Sequence, residues 1–253
     1  MGSSSDTIGP PSKALWAREA LAWPELGAFV ATVPWWTLAP RGDGHAVLVL
    51  PGLIQSDLST RPLRGFLRAR GHAAHGWKLG RNTGRSGVVD ESLVHRLHDL
   101  HEKHGRKVSL IGWSMGGLFA RELACRAPDA VRQVITLGSP FTGPAKASNA
   151  WRLYEALSGE RAGDPALAAR FRGPLPVPTT AIYSRRDGIV AWQCCVNEPG
   201  PRAENIAVTS THMGLGHHPA VLYAVADRLA QPEGQWQPFA PAFGLRWLYP
   251  ARA

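Results

Sequence analysis

A tight, glycine-bounded turn around Ser114 constrains this chain more than any other sequence feature. Residues 112–117 read GWSMGG and directly follow an apolar run at residues 108–111. The apolar run predicts a buried strand, and the residues from Leu118 onward are good helix formers. A glycine two positions before and two positions after a serine permits a turn too tight for side chains, which holds the hydroxyl in the open. Ser114 is therefore a candidate nucleophile between a strand and a helix.

The length and composition favour one catalytic domain. The chain has 253 residues, of which 44% are apolar and 19% are charged, as is typical of soluble globular proteins. No apolar run reaches the roughly 18 residues that a membrane-spanning helix needs. We expect a single catalytic domain over residues 41–253, preceded by a helical segment over residues 1–40 that packs on it.

The segment before residue 41 is rich in tryptophan. Residues 13–33 place apolar side chains at roughly helical spacing, and Pro24 is expected to kink or divide this helix. The indoles either dock on the main domain or form an interfacial belt that rests on lipid, and the composition favours docking. These indoles belong to Trp16, Trp23, Trp35 and Trp36.

Charge and cysteine content bear on partners and compartment. The formal charge is +9, but only five of the 28 basic residues are lysine and the arginines are scattered, so nucleic acid is not an expected partner. A positive surface also fits anionic lipids, acidic substrates or solubility alone. The three cysteines make no disulfide framework, and the first residues carry no secretory signal pattern. These features predict a cytoplasmic protein.

Alternating apolar runs and helical patterns predict an α/β fold with a mostly parallel central sheet and helices on both faces. The expected strands are residues 46–50, 72–77, 108–111, 131–137, 179–183 and 204–208. The expected helices are residues 61–70, 91–104, 118–127 and 219–229. Residues 141–176 show a different pattern, of one or two short helices with apolar and charged residues mixed, which predicts a helical lid.

The sequence supplies the two partners that a nucleophilic serine needs. A serine hydroxyl requires a base to take its proton and a carboxylate to orient that base. Asp187 follows the strand that ends near residue 184, and His212 follows the strand that ends near residue 209. The carboxyl ends of neighbouring parallel strands meet at one edge of a sheet. We therefore expect Ser114, Asp187 and His212 to lie together at that edge as a catalytic triad.

Two members of this triad have competitors. Asp187 is also typical of a turn aspartate paired with the neighbouring arginines, and Asp164 is a weaker rival for the acid. His217 and His218 compete with His212, but they lie at the start of the last predicted helix, where capping or surface contacts are expected. Asp187 and His212 are favoured because each follows closely on the end of its strand.

An acyl-transfer site also needs hydrogen-bond donors for the developing oxyanion. The backbone amide of Met115, directly after the nucleophile, is the first expected donor. The second is the amide of Leu53, where the first strand breaks at residues 51–52 and the glycine lets the backbone curl toward the pocket. An ordinary Pro-Gly turn is the alternative interpretation there.

A stripe of histidines raises the question of a metal site. His95, His98, His101 and His104 recur every three residues on a predicted helix, so the stripe drifts around the helix axis and does not converge on one point. Residues 101–104 also lack one residue of the zinc-protease pattern H-E-x-x-H. We interpret the stripe as a solvated helix face and expect neither a metal nor a cofactor.

Five motifs resemble those of α/β-hydrolases of the bacterial lipase and carboxylesterase kind, over most of residues 45–230. The motifs are residues 49–53 (VLPGL), 110–117 (LIGWSMGG), 135–140 (ITLGSP), 187–190 (DGIV) and 210–212 (STH). The resemblance implies a Ser/His/Asp triad, a lid, and ester hydrolysis through an acyl-enzyme. The chain departs from many members in carrying Pro51–Gly52 where they carry His-Gly in the oxyanion loop.

The leading hypothesis is a serine esterase or lipase that acts on a small-molecule or lipid ester. An apolar lid favours a pocket for aliphatic or aromatic acyl groups, with Trp113, Phe141 and Trp192 as candidate substrate contacts. One alternative is an acyltransferase or thioesterase that uses the same triad. Another is a hydrolase-like domain without activity that binds lipid or a partner through its Trp-rich start.

Overall fold

Six parallel strands form the central sheet of the computed structural model, which describes residues 8–87 and 89–250. The strand order is β2-β1-β3-β4-β5-β6, and every neighbouring pair runs parallel. The strands are β1 Ala46–Leu50, β2 Ala73–Gly76, β3 Val108–Trp113, β4 Val131–Leu137, β5 Thr179–Ser184 and β6 Ala203–Val208. The predicted α/β class and all six expected strands are confirmed.

Eight α-helices accompany the sheet in the described residues. They are α1 Lys13–Ala17, α2 Ala22–Ala31, α3 Arg61–Ala69, α4 Val94–His104, α5 Met115–Arg126, α6 Trp151–Ser158, α7 Pro165–Phe171 and α8 Pro219–Ala230. Helices α6 and α7 form the insertion between β4 and β5, within the range expected for a lid. None of the described helices has the length and apolar character needed to cross a bilayer.

The strands are buried on both faces, which explains why they read as continuous apolar runs. In β1, Val47 and Val49 pack on the face that carries α3 and α8. The alternate residues Leu48 and Leu50 pack on the opposite face, with α4 and α5. The helices thus cover both faces, as the sequence predicted.

The order of the strands creates a crevice between β1 and β3. Strand β2 lies on one side of β1 and β3 on the other, so the connections that leave β1 and β3 diverge at their carboxyl ends. The loop after β1 contains Leu53, and the turn after β3 contains Ser114. Both predicted elements of an acyl-transfer site therefore face the same crevice.

The N-terminal helix is divided, but at a different place from the one predicted. A short 3₁₀ turn, Arg18–Leu21, separates α1 from α2, whereas Pro24 lies in the first turn of α2. Proline is tolerated there because amides of the first turn have no acceptor within the helix. Phe29 of α2 and Trp36 pack against the core on the α3 and α8 side. Residues 1–7 of the predicted N-terminal segment lie outside the described residues.

Candidate active site

Ser114 lies on a strained turn between β3 and α5. Its φ of 52° and ψ of −121° fall outside the regions that residues with side chains normally adopt. A Cβ on Gly112 would lie 2.3 Å from the carbonyl oxygen of Gly116. A Cβ on Gly116 would lie 2.4 Å from the carbonyl oxygen of Leu50. The two glycines are thus required by backbone close approach, and the Ser114 amide donates to Leu137 O at 2.8 Å to fix the turn against β4.

Asp187 and His212 form a buried carboxylate–imidazole pair. Asp187 Oδ2 and His212 Nδ1 are 2.6 Å apart, and the two residues are only 3% and 4% exposed. The other carboxylate oxygen, Oδ1, accepts hydrogen bonds from the amides of Ile189 at 2.9 Å and Val190 at 2.7 Å. A carboxylate at Nδ1 favours the tautomer that carries its proton there. This arrangement leaves the Nε2 lone pair of His212 available as a base.

The electrostatic surroundings make His212 a stronger base than an ordinary histidine. Burial alone would lower the pKa of His212, because it disfavours the imidazolium form. The charge and hydrogen bond of Asp187, together with the charge of Glu19, act in the opposite direction and outweigh burial. The pKa of His212 is therefore raised above its usual value of 6.5.

Hydrogen bonds join the loops that carry this pair. The Ser184 hydroxyl, at the end of β5, donates to the Ser210 carbonyl in the His212 loop at 2.5 Å. The same hydroxyl accepts from the Arg186 amide at 3.0 Å. One side chain thus fixes the turn that carries Asp187 and holds it against the loop after β6.

The link between this pair and Ser114 runs through Trp113. The Trp113 indole, one residue before Ser114, donates to the His212 carbonyl at 3.1 Å. A Cβ on Gly138, directly after β4, would lie 3.1 Å from His212 Nδ1. The pair therefore lies at the same carboxyl edge of the sheet as Ser114. Across residues 8–87 and 89–250, no direct hydrogen bond joins the Ser114 hydroxyl to His212; such bonds are often long before substrate binds.

The loop after β1 lies against Ser114. A Cβ on Gly52 would lie 3.3 Å from Ser114 Cβ, and Leu53, Ser114 and Met115 line one cleft. In the described part of the chain, the backbone amides of Leu53 and Met115 find no protein acceptor. Unpaired N–H groups beside a serine are the donors that an oxyanion requires.

Asn82 holds this loop in place and was missed by the sequence analysis. Its buried side chain donates from Nδ2 to the Pro51 carbonyl at 2.8 Å. Its backbone accepts from the Ile54 amide at 2.7 Å and donates to the Gln55 carbonyl at 2.8 Å. Three hydrogen bonds thus secure a loop in which Ile54 has a positive φ of 60°. No local pattern points to Asn82, because Pro51 lies 31 residues earlier.

The cleft at Ser114 is mainly apolar. Helices α6 and α7 of the insertion supply one wall, and the start of α5 supplies another. Its apolar lining includes Leu118, Phe141, Tyr154, Leu167, Phe171 and Val190. Such a surface suits hydrocarbon, because burying apolar area is favourable.

Of the three aromatic residues expected to contact substrate, only Phe141 lines this cleft. Trp113 points into the buried core on the α3 and α8 side, where its indole supports the His212 loop. Trp192 stacks on Tyr183 with ring centroids 5.5 Å apart, and the Arg185 guanidinium lies 5.0 Å from its ring centroid. Both indoles therefore lie outside the cleft and pack within the protein.

The rival acid and bases have structural contacts of their own. Asp164 caps α7, with Oδ1 accepting from the Ala166 amide at 2.8 Å. His218 caps α8, and His217 Nε2 contacts the Ala22 carbonyl at 3.3 Å. Each of these three side chains therefore has a structural contact that explains its position, and none of them needs a catalytic role.

A second hydroxyl–imidazole–carboxylate chain lies at the amino edge of the sheet. His45 Nε2 is 2.8 Å from the Ser109 hydroxyl, and His45 Nδ1 is 2.5 Å from Asp43 Oδ1. Ser109 is completely buried within β3, so its hydroxyl is closed to substrate. The same three chemical groups therefore form a structural network here, because the exposed and strained turn is missing.

This network also contains the one cluster of possible metal ligands among the described residues. Asp43, His45 and His72 place ligand atoms within 4.8 Å of one another. Asp43 is already paired with Arg106 at 2.5 Å and Arg132 at 2.9 Å. Two guanidinium charges oppose the binding of a cation, so we assign the cluster a structural role.

The fold and the position of Ser114 define a class of protein. A sequence model of the family described as alpha/beta hydrolase fold matches residues 57–181. Together with the six-stranded parallel sheet, this match shows that the chain has the α/β-hydrolase fold. A search of curated proteins finds no match.

Similar solved structures include several lipases. Lipase B of Aspergillus fumigatus is 16% identical, with a TM-score of 0.57. The match covers 74% of this chain and 53% of the lipase, so this chain spans about half the length of that lipase. A mature lipase of Bacillus licheniformis is 15% identical with a TM-score of 0.56, over 76% and 94% of the two chains. A monoacylglycerol lipase of Paleococcus ferrophilus is 14% identical with a TM-score of 0.51, over 75% and 96%. At these identities the likeness concerns the fold.

Proposed function

We propose that this chain is a serine hydrolase that cleaves carboxylic esters of apolar acyl groups. The observation that carries the proposal is the buried Asp187–His212 pair at the edge of the sheet where Ser114 lies on its strained turn. A hydroxyl, an imidazole and a carboxylate in these positions are the groups that acyl transfer through serine requires. The unpaired amides of Leu53 and Met115 and the apolar cleft support the same reaction.

In the proposed reaction, the Ser114 oxygen forms a bond to the ester carbonyl carbon while His212 Nε2 takes its proton. Asp187 stabilises the resulting imidazolium, and the amides of Leu53 and Met115 stabilise the negative carbonyl oxygen. The carbon–oxygen bond to the alcohol then breaks, and the alcohol leaves with the proton from His212. Water then attacks the acyl carbon while His212 Nε2 takes its proton. The bond between the acyl carbon and the Ser114 oxygen breaks, the serine oxygen takes that proton from His212, and the acid leaves.

The same proposal assigns roles to the larger parts of the chain. Residues 41–250 belong to the hydrolase domain, and residues 8–40 form a separate segment packed on it. Helices α6 and α7, within residues 141–176, act as the lid, because they supply Tyr154, Leu167 and Phe171 to the wall of the cleft. The acyl chain occupies the part of the cleft next to Phe141.

The direct test is hydrolysis of p-nitrophenyl esters by the purified full chain, in a series from acetate to palmitate and with a succinyl ester as the charged comparison. We expect turnover of the uncharged esters and at least about tenfold lower kcat/KM for the succinyl ester, because the cleft desolvates its carboxylate. Failure of the folded protein to hydrolyse any ester would contradict the proposal. Product analysis with added alcohol or thiol separates hydrolysis from acyl transfer.

The pH dependence of kcat/KM follows from the raised pKa of His212. The base must be neutral to accept the Ser114 proton, so activity is expected to fall as the pH falls through the pKa of His212. Because that pKa is raised, the midpoint of this acid limb is expected above pH 6.5. Initial rates from about pH 5 to about pH 9, with circular dichroism at each pH to monitor folding, check this prediction. A rate that stays constant over this range would contradict it.

A further inference from the structure

Residues 13–38, here called the strap, turn two carboxylates toward the protein and expose three indoles. The partly buried positions recur every three or four residues and include Leu15, Glu19, Ala22, Glu25, Phe29 and Trp36. The exposed positions include Trp16, Trp23 and Trp35, at 59%, 77% and 60% exposure, with Val30 and Leu38 beside them in the sequence. A surface helix ordinarily buries its apolar face and exposes its charges. The strap turns its two carboxylates inward together with Phe29 and Trp36, and it leaves three of its four indoles exposed.

The exposed charges of this region have one sign. Glu19 and Glu25 are occupied by hydrogen bonds with the His212 loop. Within residues 8–41, the exposed charged side chains are Lys13, Arg18 and Arg41, all of them cationic. Exposed indoles together with basic residues are the combination that interfacial helices use on anionic membranes.

Exposed apolar side chains also lie on the loops near the candidate active site. The Met213 amide donates to Glu19 of the strap at 2.9 Å, and the Met213 side chain is 37% exposed. Gln55 Nε2 contacts Met213 Sδ at 3.9 Å, and the neighbouring Ile54 of the loop after β1 is 42% exposed. Exposed apolar side chains therefore lie on both loops that surround Ser114, and the loop that carries Met213 is hydrogen-bonded to the strap.

We propose that the outer face of the strap binds lipid surfaces that carry anionic headgroups. The indoles insert at the level of the headgroups, and Lys13 and Arg18 contact the anionic lipids. Lipid binding is inferred from side-chain exposure and charge alone, so it does not depend on the proposed hydrolysis. When the protein is bound in this way, the mouth of the cleft lies close to a source of apolar esters.

Co-sedimentation of the full chain with vesicles tests this proposal. Vesicles of phosphatidylcholine alone are compared with vesicles that also contain phosphatidylglycerol, at low and high salt. We expect stronger binding to the anionic vesicles, weakening with salt. A triple variant with Trp16→Ser, Trp23→Ser and Trp35→Ser is expected to bind at least about tenfold more weakly, and Lys13→Glu with Arg18→Glu to bind more weakly as well. Lys103→Glu, an exposed residue of α4, is the matched control and should bind as the parent does.

Three results would overturn the lipid proposal. The first is failure of the parent chain to bind anionic vesicles. The second is unchanged binding by the tryptophan variant. The third is a parent chain that forms a dimer in light scattering and becomes monomeric in the tryptophan variant, which would assign this face to a second copy of the chain.

The inner face of the strap carries a second, independent observation. Glu19 Oε1 accepts from the Gly188 amide at 2.8 Å and from the His212 amide at 3.0 Å, and Oε2 accepts from the Met213 amide. One carboxylate thus bridges the loop that carries Asp187 and the loop that carries His212. The strap backbone approaches closely as well: a Cβ on Gly188 would lie 2.3 Å from the Leu15 carbonyl oxygen.

We infer that Glu19 is a positioning residue for the Asp187–His212 pair, an inference that rests on the proposed function. Its hydrogen bonds set the separation of the two loops. Its charge also faces His212 from the strap, as Asp187 does from the loop after β5. Glu25 supports the same loop by accepting from the Thr211 amide at 2.9 Å and hydroxyl at 2.7 Å.

Glu19→Gln tests this role, because it removes the charge and replaces one acceptor oxygen with a donor. We expect kcat to fall about tenfold with KM changed less than about twofold, since the substrate cleft is untouched. Removing a negative charge lowers the pKa of His212, so the acid limb of kcat/KM is expected to move to lower pH. Glu19→Asp keeps the charge and is expected to retain the limb while still lowering kcat. Glu233→Gln, an exposed carboxylate, is the matched control.

An unchanged kcat and an unmoved acid limb in Glu19→Gln would refute the positioning role. So would a lower melting temperature with no movement of the limb, which is the result of a purely structural contact. An NMR titration of the His212 imidazole reads the pKa without any substrate. It therefore separates failure of this inference from failure of the proposed ester hydrolysis.

Discussion

Replacing Ser114 with alanine is expected to lower kcat for p-nitrophenyl esters by a factor on the order of 10⁵. The substitution removes the atom that forms the acyl-enzyme, while the oxyanion donors and the cleft persist and support a small residual rate. The factor corresponds to about 7 kcal/mol of lost transition-state stabilisation. Stopped and continuous assays of the purified variant measure it.

Folding must be shown to be unaffected for this result to be informative. Alanine adopts the strained backbone of Ser114 no more easily than serine does, so the melting temperature is expected to change little. Ser59→Ala, in the loop before α3, is the matched control and should retain the parental rate. A Ser114→Ala variant with more than about a tenth of the parental kcat would mean that another group is the nucleophile.

Asp187→Asn is expected to give the second largest effect, with kcat lowered by a factor on the order of 10³ to 10⁴. The amide keeps the shape of the carboxylate but loses the charge that stabilises the His212 imidazolium, and its NH₂ group can impose the wrong tautomer. Losing that charge also lowers the pKa of His212, so the remaining activity is expected to extend to lower pH. Steady-state rates across pH measure both effects.

Asp164→Asn discriminates between the two acids that the sequence offered. Asparagine caps a helix about as well as aspartate, so α7 is expected to stay intact and the parental activity to be retained. A loss of activity in Asp164→Asn together with a normal rate in Asp187→Asn would reverse the assignment of the acid.

The sheet could be predicted because parallel strands buried on both faces must be apolar along their length. Strand β4 has the predicted bounds, residues 131–137, and β1 has the predicted bounds, residues 46–50. Strand β2 is shorter at both ends than its apolar pattern suggested. At its end the Trp77 amide donates to the Asp57 side chain at 3.0 Å and not to a neighbouring strand. A side chain 20 residues earlier thus ended the strand, which no local pattern records.

The residues of the candidate site could be predicted where they directly follow the ends of strands. Ser114 is marked by its own neighbours, and Asp187 and His212 by their positions after β5 and β6, so their meeting at one edge follows from the topology. The contacts that hold the site come from distant parts of the chain. Asn82 and Glu19 lie far in sequence from the loops they secure, and no spacing rule connects them.

In the strap, the helical spacing was predicted correctly, but the side chains expected on the buried and exposed faces were not. Charged residues at helical spacing ordinarily mark the solvated side of a helix, and the indoles of the strap were expected to dock on the domain. Amides and hydroxyls of the loops that carry Asp187 and His212 reverse this preference, because they donate several hydrogen bonds each to Glu19 and Glu25. Trp16, Trp23 and Trp35 are left exposed as a consequence.

The most direct test of the account is covalent labelling of the folded chain by a fluorophosphonate, followed by intact-mass measurement and peptide mapping. The reagent reacts with a serine only when a base and an oxyanion site activate it. We expect one adduct per chain, located on Ser114, with labelling slowed strongly in Asp187→Asn. No adduct on the folded protein, or an adduct on a different residue, would contradict it.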